Sequence, residues 1–407
     1  MKLKNIFIIF IILINLLGNT VLADISLEED VYIDEESLQT STDITSDVKT
    51  YSKHIICRER TTEEILFEKD AYTQTAMAST TKIMTAIIVL ENCDLNEEVS
   101  ISKKAANTGG STLGISEGTK ISMQALLYGL MLRSGNDCAV AIAEHIGGSV
   151  EGFAQIMNNK AKELNLKNTN FVTPHGLDSV EHYTTAYDLA ILTNYALNNE
   201  KFKEIVGTKQ ITEQIGDYPR SMINTNELLG VVNGVYGVKT GFTGNAGRCL
   251  VTACKRNDLD IIVVVLGADT KKIRGLDSKN VIEYVFENYE MVDTESIVKE
   301  AMDDFEKVKK INILKSNDKI KLELEERKTY RYPVNKNEIS NLKTAIYCVD
   351  VINSPVLKGA KIGNLQLKSN DKILYSIDIV LSNDINRMKW NDYLNEFLIN
   401  FKKYYCF

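Results

Sequence analysis

Positive charge is in short supply: 47 lysines and arginines face 55 aspartates and glutamates over 407 residues, a formal net charge of −8. That balance offers no basic footprint for nucleic acid. The seven cysteines (57, 93, 138, 249, 254, 348 and 406) contain no Cys-x-x-Cys pair, and their odd number leaves at least one thiol free. Their spacings suggest neither a disulfide framework nor a zinc site. If Cys249 and Cys254 share a strand, their odd separation points them to opposite faces, so they do not bridge. Most of the seven read as small buried apolar residues. The four histidines (54, 145, 175 and 182) form no His-Glu-x-x-His pattern, so neither a metal nor a cofactor is expected.

Only one long apolar run stands out, Ile6 to Leu17, preceded by Lys2 and Lys4 and followed by Val21-Leu22-Ala23 before Asp24. This pattern predicts a signal peptide over 1–23. The run is short for a bilayer and broken by Asn15; an uncleaved anchor is the alternative. In either case the remainder is expected outside the cytoplasmic membrane, associated with its outer face. Residues 24–48 hold nine acidic residues and no basic one, which reads as a solvated leader.

Beyond the leader, Ile55–Cys57 and Ile65–Phe67 flank the polar stretch Arg58–Glu63 and predict a hairpin. Thr81–Leu90 reads as a helix apolar almost all round, hence buried. Helical patterns dominate from Ser122 to about Leu197, among them Asp137–Ile146, stopped by Gly147-Gly148. Val235–Phe242, Arg248–Lys255 and Leu259–Gly267 are strand-like, the last two joined by the turn Arg256-Asn257-Asp258. Asp277 or Ser278 is expected to cap a helix presenting Val281, Ile282, Val285, Phe286 and Tyr289. Strands at both ends of a helical middle predict an α+β catalytic domain over 49–290, with a largely antiparallel sheet. Short alternating runs predict a small all-β domain over 293–384. Residues 386–407 form a helical stripe of Trp390, Tyr393, Leu394, Phe397, Leu398 and Phe401 with basic ends, suited to a membrane interface, to docking or to self-association.

Three motifs carry the chemistry: Ser79-Thr80-Thr81-Lys82, Ser134-Gly135-Asn136 and Lys239-Thr240-Gly241. Ser-x-x-Lys occurs seven times, but only Ser79 opens the buried apolar helix. At i and i+3 on a helix, the Lys82 amine reaches the Ser79 hydroxyl. A serine needs such a base, and burial together with Lys239 as a neighbouring cation would lower the lysine pKa. Ser134 can pass a proton to a leaving amine, and Asn136 can hold a substrate amide. Lys239 and Thr240 are read as sharing one face of a strand, to bind a carboxylate. Gly241 would admit a close backbone, and the N–H groups of Ser79 and Phe242 would form an oxyanion hole.

This trio is the pattern of class A β-lactamases and penicillin-binding proteins. Further blocks sharpen the likeness: Ala78–Ala86, Tyr128–Asp137, Thr173–Asp178, His182–Ala186 and Gly237–Thr243. From about Lys53 to Leu381 the chain resembles the D-alanyl-D-alanine carboxypeptidases of serine peptidase family S11, the low-molecular-mass penicillin-binding proteins. The resemblance implies a β-lactamase/transpeptidase-like catalytic domain, a β-rich C-terminal domain and an amphipathic terminal anchor. It also implies a reaction. Ser79 attacks the penultimate D-alanine carbonyl of a peptidoglycan stem pentapeptide, terminal D-alanine leaves, and water hydrolyses the ester; β-lactams would acylate the same serine.

Three departures are visible. Cys57–Glu64 lacks the Asp-Ala-x-x-Gly turn common in the family, Phe242 stands where some members carry His, and Arg133 stands where a smaller or apolar residue is common. His175 reads as a loop-fixing hydrogen bonder. A class A β-lactamase would need Glu-x-x-Leu-Asn to activate its deacylating water, and Ala161 occupies the glutamate's place before Leu164-Asn165. A slow penicillin receptor or wall-binding protein is the remaining rival.

Overall fold

A run of nine apolar or small residues and one acid, Leu259–Ala268, is buried at every position and forms the middle of a five-stranded sheet. Strands covered on both faces read as continuous apolar runs, which is why this one shows no alternation. The computed structural model describes residues 48–405 except Asp371; the proposed signal peptide, nearly all of the acidic leader and Cys406 lie outside the described residues. Strand order is Ile65–Lys69, His54–Glu59, Leu259–Ala268, Gly247–Arg256, Val235–Thr243, every neighbouring pair antiparallel. The strand bearing Lys239-Thr240-Gly241 is therefore an edge strand, with one row of backbone groups outside the ladder.

A cluster of helices supplies the other layer. Lys82–Asn92 and Met123–Leu132 are buried over most of their surface, and Asn136–Gly147 ends at Gly148 in the left-handed conformation (φ 68°). Val150–Glu163, Ala186–Ala196 and Glu200–Gly207 complete the cluster. Ser122, Ser149, Thr185 and Asn199 each cap the helix that follows by accepting a backbone N–H.

Two expectations are corrected here. The helix expected to start at Asp277 or Ser278 runs Lys271–Asn288. Thr270 Oγ1 accepts the Ile273 N–H at its start, whereas Asp277 is buried and accepts from Tyr51 N, Ser52 N and Ser52 Oγ. Tyr289 belongs to the next strand, Tyr289–Asp293. A hairpin of Gln210–Ile215 and Tyr218–Ile223 was not legible in the sequence.

Compact units divide at Val285/Phe286. The second holds a four-stranded antiparallel sheet in the order Leu322–Leu324, Lys372–Leu381, Lys361–Ser369, Leu342–Cys348. It is not all-β. Helix Glu295–Val308 buries Val298 and Met302 in its core beside Leu365, Leu367, Ile377 and Ile379. A terminal helix spans Trp390–Tyr405 and exposes Trp390, Leu394, Phe397 and Leu398. Among the described residues no helix is long and apolar enough to cross a membrane.

Candidate active site

Ser79 lies in a 3₁₀ turn, Ala78–Thr81, that runs straight into helix Lys82–Asn92. In a 3₁₀ turn residues i and i+3 eclipse, which brings Lys82 onto Ser79 more directly than an α-helical turn would. Lys82 Nζ stands 2.9 Å from Ser79 Oγ, 2.7 Å from Asn136 Oδ1 and 2.9 Å from the His175 carbonyl. As an ammonium it donates to all three. As a neutral amine it keeps two of these bonds and accepts the Ser79 proton on its lone pair. Complete burial, and then the charge of Lys239, hold its pKa well below the ordinary lysine value.

The turn is held in a strained shape. Ala78 has φ 48°, a region non-glycine residues seldom occupy. Thr81 Oγ1 donates to the Ala78 carbonyl at 2.8 Å and is met by His182 Nε2 at 2.8 Å. His182 Nδ1 accepts the Val172 N–H at 2.9 Å, so Nε2 carries the proton of a neutral ring; burial lowers its pKa to about 4. Gly176 (φ 90°) packs its α-carbon against Ala78 so closely that a side chain there would strike the carbonyl. His175 does fix its loop: Nδ1 accepts the Leu177 N–H, and burial ahead of the Lys82 charge lowers its pKa to about 3.

Ser134 sits between two helices with φ 58°, a turn that leaves it buried against Lys239. Lys239 Nζ donates to Ser134 Oγ and to the Thr240 carbonyl, both at 3.0 Å. Burial, then the charge of Arg274, brings Lys239 down to about 7. Lys239 and Thr240 do not share a strand face. They are consecutive, so their side chains leave on opposite sides; Thr240 Oγ1 instead meets Thr225 Oγ1 at 2.7 Å. Asn136 is the first residue of its helix, and both ends of its amide are engaged, Oδ1 by Lys82 and Nδ2 by the Gly109 carbonyl at 2.8 Å. Asp137 behind it accepts the N–H groups of Leu113, Gly114, Ile115 and Cys138, which pins the loop carrying Gly109 and Ser111.

Gly241 passes against Ser79: an added Cβ would stand 3.0 Å from Ser79 N. Beside it Phe242 is 43% exposed, with the Arg248 guanidinium 3.7 Å above its ring. These groups border a cleft of about 450 Å³ that Ser79, Ser134, Asn136, Thr240 and Gly241 line. Six of the eight site residues named from sequence border it, Phe242 included; Lys82 and Lys239 lie behind its wall.

The family model described as D-alanyl-D-alanine carboxypeptidase matches residues 40–270. The chain belongs to the D-alanyl-D-alanine carboxypeptidase family. A second model, the C-terminal domain of penicillin-binding protein 5, matches residues 286–387. The chain is 33% identical to D-alanyl-D-alanine carboxypeptidase DacF of Bacillus subtilis over 88% of its own length and 92% of the relative. Penicillin-binding protein 5 of Haemophilus influenzae superposes with a TM-score of 0.71 at 25% identity, covering 84% of this chain and 99% of that one. The Streptomyces K15 DD-transpeptidase gives 0.57 at 33% identity, over 60% of this chain and 99% of that one.

In this carboxypeptidase-family cleft and behind it, sequence reasoning missed Asp137 and His182, which do not line it, and Thr225 and Arg274, which do. The last lies 4% exposed in the wall and holds Glu227 through both carboxylate oxygens. Only Asp137 and His182 had a signal, as members of the quoted blocks. Among the described residues no group of three His, Cys, Asp or Glu could hold a metal. None of the cysteines described is bridged; 57, 138, 249 and 254 are buried.

Proposed function

We propose that the chain is a serine-type D-Ala-D-Ala carboxypeptidase removing the terminal D-alanine of peptidoglycan stem pentapeptides. The observation that carries this is the buried Lys82 amine 2.9 Å from Ser79 Oγ, in an environment that favours its neutral form. Ser79 Oγ bonds to the penultimate D-alanine carbonyl carbon while its proton passes to Lys82. Charge on the carbonyl oxygen is met by the N–H groups of Ser79 and Phe242. The C–N bond breaks as Ser134 delivers its proton to the departing amine and regains one from Lys82, which returns to the neutral amine while the acyl group stays on Ser79. Water, deprotonated by Lys82, then cleaves the ester and restores the serine.

The edge strand offers backbone groups along which an extended peptide can lie. Thr240 and Arg274, which line the cleft, meet the terminal carboxylate, and Lys239 adds its charge from behind the wall, where it holds Ser134. Asn136 acts through Lys82, whose amine it orients, rather than on the substrate amide. β-Lactams, which resemble the dipeptide, acylate Ser79. Ala161, buried in helix Val150–Glu163, leaves no glutamate for the class A β-lactamase route.

Export by the segment 1–23, and contact of helix Trp390–Tyr405 with the outer face of the membrane, belong to the same reading. The exposed Trp390, Leu394, Phe397 and Leu398 favour the second; co-sedimentation with anionic vesicles, lost on deleting 386–407, tests it. The central test follows free D-alanine from a D-Ala-D-Ala-ended muropeptide, with Ser79→Ala as control. Release by the native protein alone is expected. Release from neither would favour a slow penicillin receptor.

A further inference from the structure

Four cationic side chains line the cleft of this otherwise acidic chain: Arg133, Arg248, Lys271 and Arg274. Arg248 lies on the Phe242 ring and Arg274 is clamped by Glu227. Arg133 differs: it is exposed, and among the described residues it has no hydrogen-bond or ion-pair partner. Its position is nonetheless fixed. It caps helix Met123–Leu132 with φ −91° and ψ −5°, and the next residue, Ser134, turns inward at φ 58° onto Lys239. One buried hydroxyl and one exposed guanidinium therefore leave adjacent α-carbons, the first at the reacting bond and the second at the mouth of the same cleft.

A cation placed there and left unpaired is suited to an anion on the ligand. The terminal carboxylate is already served by buried groups, Lys239 at 1% exposure and Arg274 at 4%. The leaving D-alanine carries no other charge. An anion reaching Arg133 must then lie on the acyl-donor side, on peptide that leaves the cleft through its mouth.

We propose that Arg133 is a specificity-determining residue that selects stem peptides whose residue before D-Ala-D-Ala bears a free side-chain carboxylate. The inference rests on the carboxypeptidase reading and deepens it by naming the substrate class. A guanidinium pairs a carboxylate through two parallel N–H···O bonds, a geometry that lysine does not reproduce. Because the pair is solvent-exposed, its contribution is modest and falls with salt.

The test uses the full-length protein and two synthetic peptides ending in D-Ala-D-Ala, identical except that the preceding residue carries a side-chain carboxylate or its carboxamide. D-Alanine release is measured for the native protein, Arg133→Gln and Arg133→Lys, at low and high salt. The native protein is expected to favour the carboxylate peptide by about three- to tenfold in kcat/KM, expressed mainly in KM and diminished by salt. Arg133→Gln should bring the ratio of the two peptides to about one, and Arg133→Lys should restore part of it. A native ratio near one overturns the inference, as does a ratio unchanged in Arg133→Gln or an equal loss on both peptides. Release from neither peptide by the native protein overturns the carboxypeptidase reading and this inference with it.

Discussion

Gly176 performs no chemistry, yet replacing it with alanine should disable the enzyme. A β-carbon at 176 would lie 1.9 Å from the Ala78 carbonyl oxygen, 2.5 Å from its carbon and 2.6 Å from Thr81 Oγ1. Ordinary C···O contacts begin at ~3.3 Å, so the two segments must part by ~1.4 Å. The φ of 90° adds strain of its own. Together these should cost ~2–6 kcal/mol of stability, combining left-handed strain with overpacking. What moves is the turn that presents Ser79, and a misplacement of ~1 Å near a reacting atom costs on the order of 10²-fold in rate. Gly148→Ala is the matched control: φ is 68° but nothing stands within 4 Å, so it should show strain alone, about 1–2 kcal/mol. Urea midpoints and the rate of Ser79 acylation by a fluorescent penicillin would be measured for both. The reasoning fails if Gly176→Ala acylates within about twofold of native and unfolds at the midpoint of Gly148→Ala.

Lys82→Arg keeps the charge but removes a base, because guanidinium does not deprotonate near neutrality. Acylation should fall by at least ~10²-fold, and near-native labelling would refute Lys82 as base. The Lys239 pKa near 7 lies below the unfolded lysine value, so the unfolded chain holds more protons between these limits and stability should rise with pH from about 7 toward 10. Lys82 contributes in the same direction. Lys239→Met should therefore reduce the slope without abolishing it; urea unfolding from pH 7 to 10 checks this, and an unchanged slope would contradict it. Asp137→Asn turns an acceptor for four N–H groups into a partial donor, at a cost of ~2–3 kcal/mol. Hydrogen exchange at Leu113–Ile115 should quicken, and unchanged protection there would count against the pinning role.

The Ser79–Lys82 contact was legible because two residue types at a fixed spacing on an apolar helix leave few alternatives. Strands Val235–Thr243, Gly247–Arg256 and Leu259–Ala268 were legible too, since β-branched runs between turn residues have no helical reading. Parity was misjudged at Lys239-Thr240, where neighbours cannot share a face. The start of Lys271–Asn288 was missed because Asp277 resembles a cap, while its carboxylate serves residues 51–52 far away in sequence. Helix Glu295–Val308 does carry Val298, Met302 and Phe305 at helical spacing, but it lies among short strands and heavy charge. The bent backbone at Ala78 and Ser134 had no local signal: neither is glycine, and only surrounding hydrogen bonds hold them there.

Lys239 is not simply a standing positive charge awaiting an anion. With a pKa of about 7, about half of its population is neutral at pH 7. In the proposed reading an arriving carboxylate would stabilise the ammonium, so that recognition would include the capture of a proton from solution. Part of the heat of binding is then the heat of ionisation of whatever buffer surrendered that proton. The lysine thereby reports the acidity of its surroundings each time it meets a carboxylate, and affinity weakens as the medium turns alkaline even though no group on the ligand titrates.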